Sequence, residues 1–367
     1  MIYFDHAATT YIDKEALDAY NDICLNNFGN PSGNYSIGFN AKAALDEARA
    51  TVGRILNCDA EDVVFTSGGT ESNNIMIQGY SKLNKGLHII ASAIEHKSVL
   101  KLLRFFKMNV TWVHPDKNGH INPKDVEDAI TPETKLITCQ LMNNEIGTLQ
   151  NIKEISRIAK EHDIFMHTDA VQVVGHYPID IKDLGVDALS ASGHKFGAPK
   201  GTGILFTKHK KIGLIFGGSQ EHKQRAGTEN VAGAVALAKA LENCDKHMKE
   251  NMAKITETVN YLENELTKIP GVYLNVDNKD YHSIINFRIR GVENFKLVPY
   301  LDEHGICVSL GAACNSKTSK RSFVLKEIGM CDEDIDNSLR ISLSQSNTKQ
   351  ECDEFVKVIK QAMIDLK

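Results

Sequence analysis

The sequence predicts an α/β fold: a large domain with a mostly parallel sheet flanked by helices, and a smaller α+β domain at the C-terminal end. Three observations predict it. Between Val63 and Phe206 short apolar runs alternate with longer amphipathic segments, the texture of repeated βα units. From about Val231 to Lys268 an Ala-, Leu-, Glu- and Lys-rich stretch reads as one long helix, closed by Pro270-Gly271 and linking two domains. The chain has 367 residues, 42% of them hydrophobic, which at roughly 150 residues per domain is core enough for about two domains.

The elements follow in chain order. Met1-Ile-Tyr-Phe-Asp5 reads as strand and lacks the basic and apolar regions of a secretory signal. The runs Val63-Val-Phe-Thr66, His88-Ile-Ile-Ala91, Val110-Thr-Trp-Val113, Leu136-Ile-Thr-Cys139, Ile164-Phe-Met-His167 and Gly203-Ile-Leu-Phe206 are short and apolar, as strands covered on both faces must be. Between them, Lys97 to Phe106 and Ile152 to Lys160 carry helical periodicity. Ligands of such a sheet sit at the carboxyl ends of its strands. Beyond the long helix come a strand Ser283-Ile-Ile-Asn-Phe-Arg288, a helix from about Leu297 to Glu303, a strand Leu339-Arg-Ile-Ser-Leu343 and an amphipathic helix from about Lys349.

Composition narrows the function. With 42 basic against 47 acidic side chains, a net charge of -5 offers no drive toward nucleic acid or an anionic membrane. No window approaches the roughly 18 apolar residues that span a bilayer, so a cytoplasmic chain acting on small molecules or protein partners is expected. Eight scattered cysteines without a C-x-x-C pair argue against a zinc knuckle, and most are expected to be small buried hydrophobes. No metal site is expected: no H-E-x-x-H pair is present. The absence of G-x-S-x-G argues against a hydrolase, and Thr207-Lys-His-Lys-Lys211 reads as a solvated loop after a strand.

Thr66-Ser-Gly-Gly-Thr-Glu-Ser72 follows a strand and opens a helix, which places free backbone N–H groups where a phosphate can be held. Alone it fits any strand-to-helix turn. In Met166-His-Thr-Asp-Ala-Val-Gln172 an acid, Asp169, ends a strand, and Lys195 of Ser190-Ala-Ser-Gly-His-Lys-Phe196 follows 26 residues later. A lysine that can bond to an aldehyde, beside a carboxylate that keeps a ring nitrogen protonated, is what a pyridoxal phosphate enzyme requires. Singly, each residue is better explained by a surface lysine or a capping aspartate; together with the phosphate cradle they are not.

Nine ordered motifs carry a family resemblance: Tyr3-Phe-Asp-His-Ala-Ala-Thr-Thr10, Gly29-Asn-Pro-Ser32, Thr66 to Asn74, Glu95-His-Lys-Ser-Val99, Asn143-Asn-Glu-Ile-Gly147, His167-Thr-Asp-Ala-Val-Gln172, Ser192-Gly-His-Lys195, Arg225-Ala-Gly-Thr-Glu-Asn230 and Gly311-Ala-Ala-Cys-Asn-Ser316. From Tyr3 to about Leu343 the chain resembles the cysteine desulfurases, class V aminotransferase-like enzymes that supply sulfur for iron-sulfur clusters and other products. The resemblance implies fold type I, with a large cofactor-binding domain over 13–250 and a small domain of 1–12 with 251–367. It implies pyridoxal 5'-phosphate held by Lys195, which would also move the Cα proton, with Asp169 on the ring nitrogen, Gln172 on the ring hydroxyl and His96 stacked on the ring. Gly69, Thr70, Ser192 and His194 would hold the phosphate, joined by Thr228 of a second subunit in a homodimer. Asn144 would lie beside cofactor and substrate, and Arg340, 26 residues after Cys314, would clamp the carboxylate of L-cysteine.

Cys314 separates desulfuration from other pyridoxal chemistry. Its segment is rich in small, polar and basic residues, which reads as a mobile exposed loop, and Lys317, Lys320 and Arg321 would favour its thiolate. The expected product is L-alanine, with a persulfide on Cys314 passed to an acceptor protein such as an iron-sulfur scaffold. Cys307, between Ile306 and Val308, reads as core. Tyr35, Leu310 and Gly197-Ala198 depart from residues frequent in the family and bear on substrate preference. The same scaffold would also serve a selenocysteine lyase or related β-lyase, or a non-catalytic pyridoxal-binding assembly scaffold; alanine formation from cysteine separates these readings.

Overall fold

The computed structural model describes residues 1–310 and 321–366. A short strand, β1 (Ile2–Tyr3), precedes the seven strands of the main sheet: β2 (Val63–Thr66), β3 (His88–Ser92), β4 (Asn109–Val113), β5 (Thr134–Thr138), β6 (Phe165–Asp169), β7 (Ala188–Ser192) and β8 (Gly203–Thr207). Their spatial order is β2-β8-β7-β6-β5-β3-β4. The run β7-β6-β5-β3-β4 is parallel, and β8 lies antiparallel to both β7 and β2. The sheet is thus mostly parallel, and the six anticipated strands are all present.

Why the strands are apolar throughout is plain from what covers them. Alternate side chains of a strand point to opposite faces. Ile90, Ile137, Met166 and Leu189 join one buried cluster with Leu45 and Val52 of one helix and Leu237 and Leu241 of the long helix Val231–Thr267. Their neighbours Ile89, Leu136 and Leu205 join a second cluster with Ile75, Met76, Leu102 and Leu103. Burying each such side chain stabilises the fold by about 1.5–3 kcal/mol relative to leaving it exposed.

The first four helices are α1 (Lys14–Asn26), α2 (Ser36–Leu56), α3 (Gly69–Leu83) and α4 (Lys97–Phe105). Asp13 starts α1 by accepting the Ala16 N–H at 2.8 Å, and His96 starts α4 by accepting from the Ser98 N–H. Among the elements not anticipated are α1, α2 and β7. The last is built from Ala188-Leu-Ser-Ala-Ser192, whose small side chains carry little apolar signal although all five residues are buried.

A second antiparallel sheet has order β12-β10-β9, formed by β9 (Val272–Leu274), β10 (Ile284–Ile289) and β12 (Ser338–Ser342), while β11 (Ile306–Cys307) pairs in parallel with β1. Phe4, Leu262, Phe287, Leu339 and Phe355 form the cluster behind it. Asp5 bridges to Ser342 and Ser309 bridges to Arg340, so the N-terminal strand is stitched to this C-terminal sheet.

The cysteine expectation needs correction. Among the seven described cysteines only Cys139 and Cys352 are buried; Cys24 and Cys331 are exposed, and Cys58, Cys244 and Cys307 are half-buried. Cys24 lies on the outward side of α1, and Cys331 sits at the cap of a five-residue helix, Asp332–Asp336, where no core reaches it. Cys307 is an edge residue of the two-stranded β1–β11 pair and not core. Cys314 lies outside the described residues.

Candidate active site

The carboxyl ends of β6 and β7 and the N-termini of α3 and α4 converge on a cavity of about 560 Å³. Gly69, Thr70, His96, Asn144, Asp169, Gln172, Ser192, His194, Lys195 and Arg340 all line it. Thr228 does not: it is exposed, away from the cavity of its own chain.

One end is a cradle for an anion. Gly68 takes φ +150°, a backbone conformation open to glycine, and a Cβ on Gly69 would meet the Val171 Cγ2 atom at 2.5 Å. A glycine at 69 lets the chain pass this close to Val171, just after β6, and then present the first N–H groups of α3 to the cavity. Thr70, Ser192 and His194 stand round the same end. Burial, and then the neighbouring Lys195 charge, lower His194 to about 4, so its ring is neutral at physiological pH.

The middle holds the two groups of opposite charge. Asp169 ends β6, where Oδ1 accepts the Val171 N–H at 3.0 Å and Oδ2 accepts Asn73 Nδ2 at 2.7 Å. Lys195 closes the turn Gly193–Lys195 after β7, and its Nζ donates to the carbonyls of Ala7 and, at 2.9 Å, Ala8. Burial, then the Arg340 guanidinium, lower its ammonium to about 8, while Asp5 and Asp169 act to hold it up. His176 fixes the turn by donating Nε2–H to the Lys195 carbonyl at 2.8 Å. Gln172 Nε2 donates to the Ala7 carbonyl at 3.0 Å.

The far end is set by Arg340, 2% exposed in β12. Its Nη2 donates to Asp5 Oδ1 at 2.6 Å and its Nη1 to the Asn144 carbonyl at 2.9 Å. The guanidinium expected to meet a substrate carboxylate is therefore already paired with a carboxylate of the chain. Burial still outweighs that pairing at Asp5, whose carboxyl lies above its ordinary value. Glu145 lies beside this end with its carboxyl on Ser322 Oγ, and burial raises it too.

The donor set fits pyridoxal 5'-phosphate: a cradle in which Gly68 takes a glycine conformation and Gly69 leaves no room for a Cβ beside Val171, a buried amine partly neutral near pH 8, and a fixed carboxylate at the strand end. Reading the sequence missed Asp5, Asn73 and Ser98. Asn73 and Ser98 fall within quoted motifs, so their positions were visible; their joint role arises from the approach of α3 to α4. Among the described residues no cluster of His, Cys, Asp and Glu is placed to hold a metal ion, and no helix is long and apolar enough to cross a membrane.

Comparison with known proteins shows the family. The aminotransferase class-V family profile matches residues 2–355. The cysteine desulfurase IscS of Dictyoglomus turgidum is 40% identical over 375 residues, covering 100% of this chain and 95% of that protein. The cysteine desulfurase IscS of Methanosarcina thermophila is 41% identical over 374 residues, covering 100% and 93%. A solved NifS-like protein superposes with a TM-score of 0.93 at 29% identity over 100% of both chains. SspA in complex with cysteine gives 0.84 at 33% identity, covering 95% of this chain and 100% of that one. With a family match from end to end and relatives about 40% identical along its whole length, the chain belongs to the aminotransferase class-V family, among the IscS-type cysteine desulfurases.

Proposed function

We propose that the chain takes sulfur from L-cysteine, releasing L-alanine, and that Cys314 carries the sulfur as a persulfide to an acceptor protein such as an iron-sulfur scaffold. The observation that carries this reading is the placement of the Lys195 amine, the Asp169 carboxylate and the Arg340 guanidinium around one cavity closed at one end by a glycine cradle. Pyridoxal 5'-phosphate supplies, when bound, an aldehyde for an amine and a ring that withdraws electrons from the substrate Cα.

The chain's own groups do the rest. Lys195 at one end and Gly69, Thr70, Ser192 and His194 at the other would hold the cofactor. Asp169 would keep a proton on the ring nitrogen, Gln172 would serve the ring hydroxyl, and His96 would pack against the ring. An amine near pH 8 is basic enough to take the Cα proton and acidic enough to return it, which suits Lys195 to move that proton. Arg340 orients the substrate carboxylate with Asn144 beside it. The Cys314 thiolate attacks the substrate sulfur: the new S–S bond forms as the Cβ–S bond breaks, its electron pair stays on the carbon side, and that carbon takes a proton to become the alanine methyl. An external thiol or acceptor then takes the outer sulfur and restores the Cys314 thiol.

A homodimer completes the reading, with Thr228 serving the partner's phosphate site. Thr228 is exposed, and so are the large apolar side chains of Leu25 at 74%, Phe28 at 72% and Phe39 at 58%, which a second subunit would cover. We place the domain division at 13–250 against 1–12 with 251–367, in keeping with the two sheets and their separate cores.

One experiment tests the whole: incubate the purified protein with L-cysteine and a reductant, quantify alanine and sulfide together, and sediment the same preparation. Equal yields from a dimer are expected, with Cys314→Ser binding L-cysteine yet forming neither product. Sulfide at the wild-type rate from Cys314→Ser would mean direct expulsion without a protein-bound carrier, and an active monomer would remove the role of Thr228.

A further inference from the structure

His96 is the one imidazole at the cavity whose ring is expected to stack on the cofactor, and its environment settles which nitrogen carries the proton. Its Nδ1 lies 2.7 Å from Ser98 Oγ and 3.2 Å from the Ser98 backbone nitrogen. A backbone N–H can only donate, so Nδ1 meets it as an acceptor. Ser98 Oγ itself accepts Asn73 Nδ2 at 2.8 Å, which leaves its single hydrogen for Nδ1. The other hydrogen of the same Asn73 amide goes to Asp169 Oδ2 at 2.7 Å.

The amide's orientation is forced at the Asp169 end. A carboxylate has no hydrogen to give, and turning Asn73 over would set its Oδ1 against Asp169 Oδ2. Asn73 is fully buried, and Oδ1 has no partner among the described residues, so both donor hydrogens are committed while the acceptor is left idle. An amide held this way against its own unmet acceptor is fixed by its two donations.

We infer that Asn73 and Ser98 are positioning residues which tie the Asp169 carboxylate to His96 through one hydrogen-bonded chain and hold the ring as the tautomer protonated on Nε2. The chain runs Asp169 Oδ2, Asn73 Nδ2, Ser98 Oγ, His96 Nδ1. Its consequence is a neutral ring that presents a fixed Nε2–H donor, with no charge to compete with the ring nitrogen for Asp169. The groups facing His96 are Asp169 from β6, Lys195 from the turn after β7 and Lys97 from its own helix. Burial, Lys195 and Lys97 lower the imidazole and Asp169 raises it, with a net lowering, so the geometry and the charges agree on a neutral ring. A donor to the Nδ1 lone pair acts in the same direction, because protonation would remove that lone pair.

The inference rests on the proposed function only for the use made of the Nε2 proton; the tautomer is read without turnover. The experiment is nitrogen NMR of the full-length enzyme labelled with ¹⁵N-histidine, the His96 signals being those lost in His96→Gln. The expected result is an unprotonated Nδ1 and a protonated Nε2 at neutral pH in the wild type and in Ser98→Thr, which keeps the hydroxyl. Ser98→Ala removes one donor worth about a fivefold change in an equilibrium, so the Nδ1-protonated population and the acid constant should each move roughly fivefold, with the imidazole pKa rising. The pH profile of alanine formation should shift the same way in Ser98→Ala and overlay the wild type in Ser98→Thr. A wild-type spectrum showing Nδ1–H overturns the inference, as does a Ser98→Ala pKa equal to that of the wild type. If the spectra are as expected but no alanine forms from L-cysteine, it is the desulfurase reading that fails.

Discussion

Replacing Arg340 should separate what that residue does for the fold from what it does for the substrate. Its guanidinium and the Asp5 carboxylate form a pair 2.6 Å apart whose side chains are 2% and 18% exposed. Removing one partner of a buried pair costs about 3–5 kcal/mol, because the other charge is left without compensation. Asp5 keeps some contact with water and already sits above its ordinary pKa, so Arg340→Gln should fall at the low end, about 3 kcal/mol. The sign with pH follows. A carboxyl whose folded pKa exceeds its unfolded value is a liability above the unfolded pKa, and the penalty shrinks as pH falls. The deficit of Arg340→Gln should therefore ease on mild acidification. Adding Asp5→Asn to Arg340→Gln replaces two charges by two amides and should recover most of the lost stability in a urea titration. Substrate affinity should not recover. A charge-assisted contact to the carboxylate is worth about 1.5–3 kcal/mol, which at about 1.4 kcal/mol per tenfold raises the KM for L-cysteine by roughly 10- to 150-fold in both variants. If the double variant regained KM together with stability, Arg340 would act only through the fold and the substrate clamp would lie elsewhere.

Lys195 and the turn Glu221–Lys223 carry two more predictions. Because burial lowers Lys195 to about 8, the rate at which apoprotein gains visible absorbance on addition of pyridoxal 5'-phosphate should rise with pH around a midpoint near that value, and Lys195→Ala should gain none. A midpoint near the ordinary lysine value of about 10.4 would contradict the buried amine. Glu221, His222 and Lys223 take φ of +44°, +56° and +68° in succession, held by Glu221, whose carboxylate accepts Arg49 Nη1 and Nη2 at 2.8 and 2.7 Å and the Phe65 N–H at 2.8 Å. A non-glycine residue there costs about 1–2 kcal/mol against about 0.5–1 kcal/mol of extra chain entropy lost by glycine. Lys223→Gly should thus raise stability by about 0.5–1 kcal/mol in a denaturant melt, and a loss of stability would show that the Lys223 side chain matters more than its backbone.

What could be read from the chain, and what could not, divides along the range of the interactions. The parallel strands were legible because burial on both faces demands an unbroken apolar run, so His88-Ile-Ile-Ala91 and Ile164-Phe-Met-His167 announce themselves within a few residues. Strand β7 obeys the same rule with Ala and Ser in place of Ile, because it must pass Ser192 close to Gly68 and Gly69 at the anion cradle; close approach selects small side chains, and small side chains erase the apolar signal. Asp169 and Lys195 stood out as charges at the ends of buried strands, a placement that costs too much desolvation to be idle. Arg340 stood out through its motif spacing, but not its pairing with Asp5, 335 residues away. The chain from Asp169 to His96 was hidden for a related reason. Asn73 and Ser98 each lie near a helix start, where polar residues are ordinary caps and solvated positions, and only the packing of α3 against α4 turns them into a single path. Local periodicity is written along the chain because each residue meets its neighbours; the protonation state of His96 is set by atoms that meet only after folding, so it has to be sought in distances and donor counts.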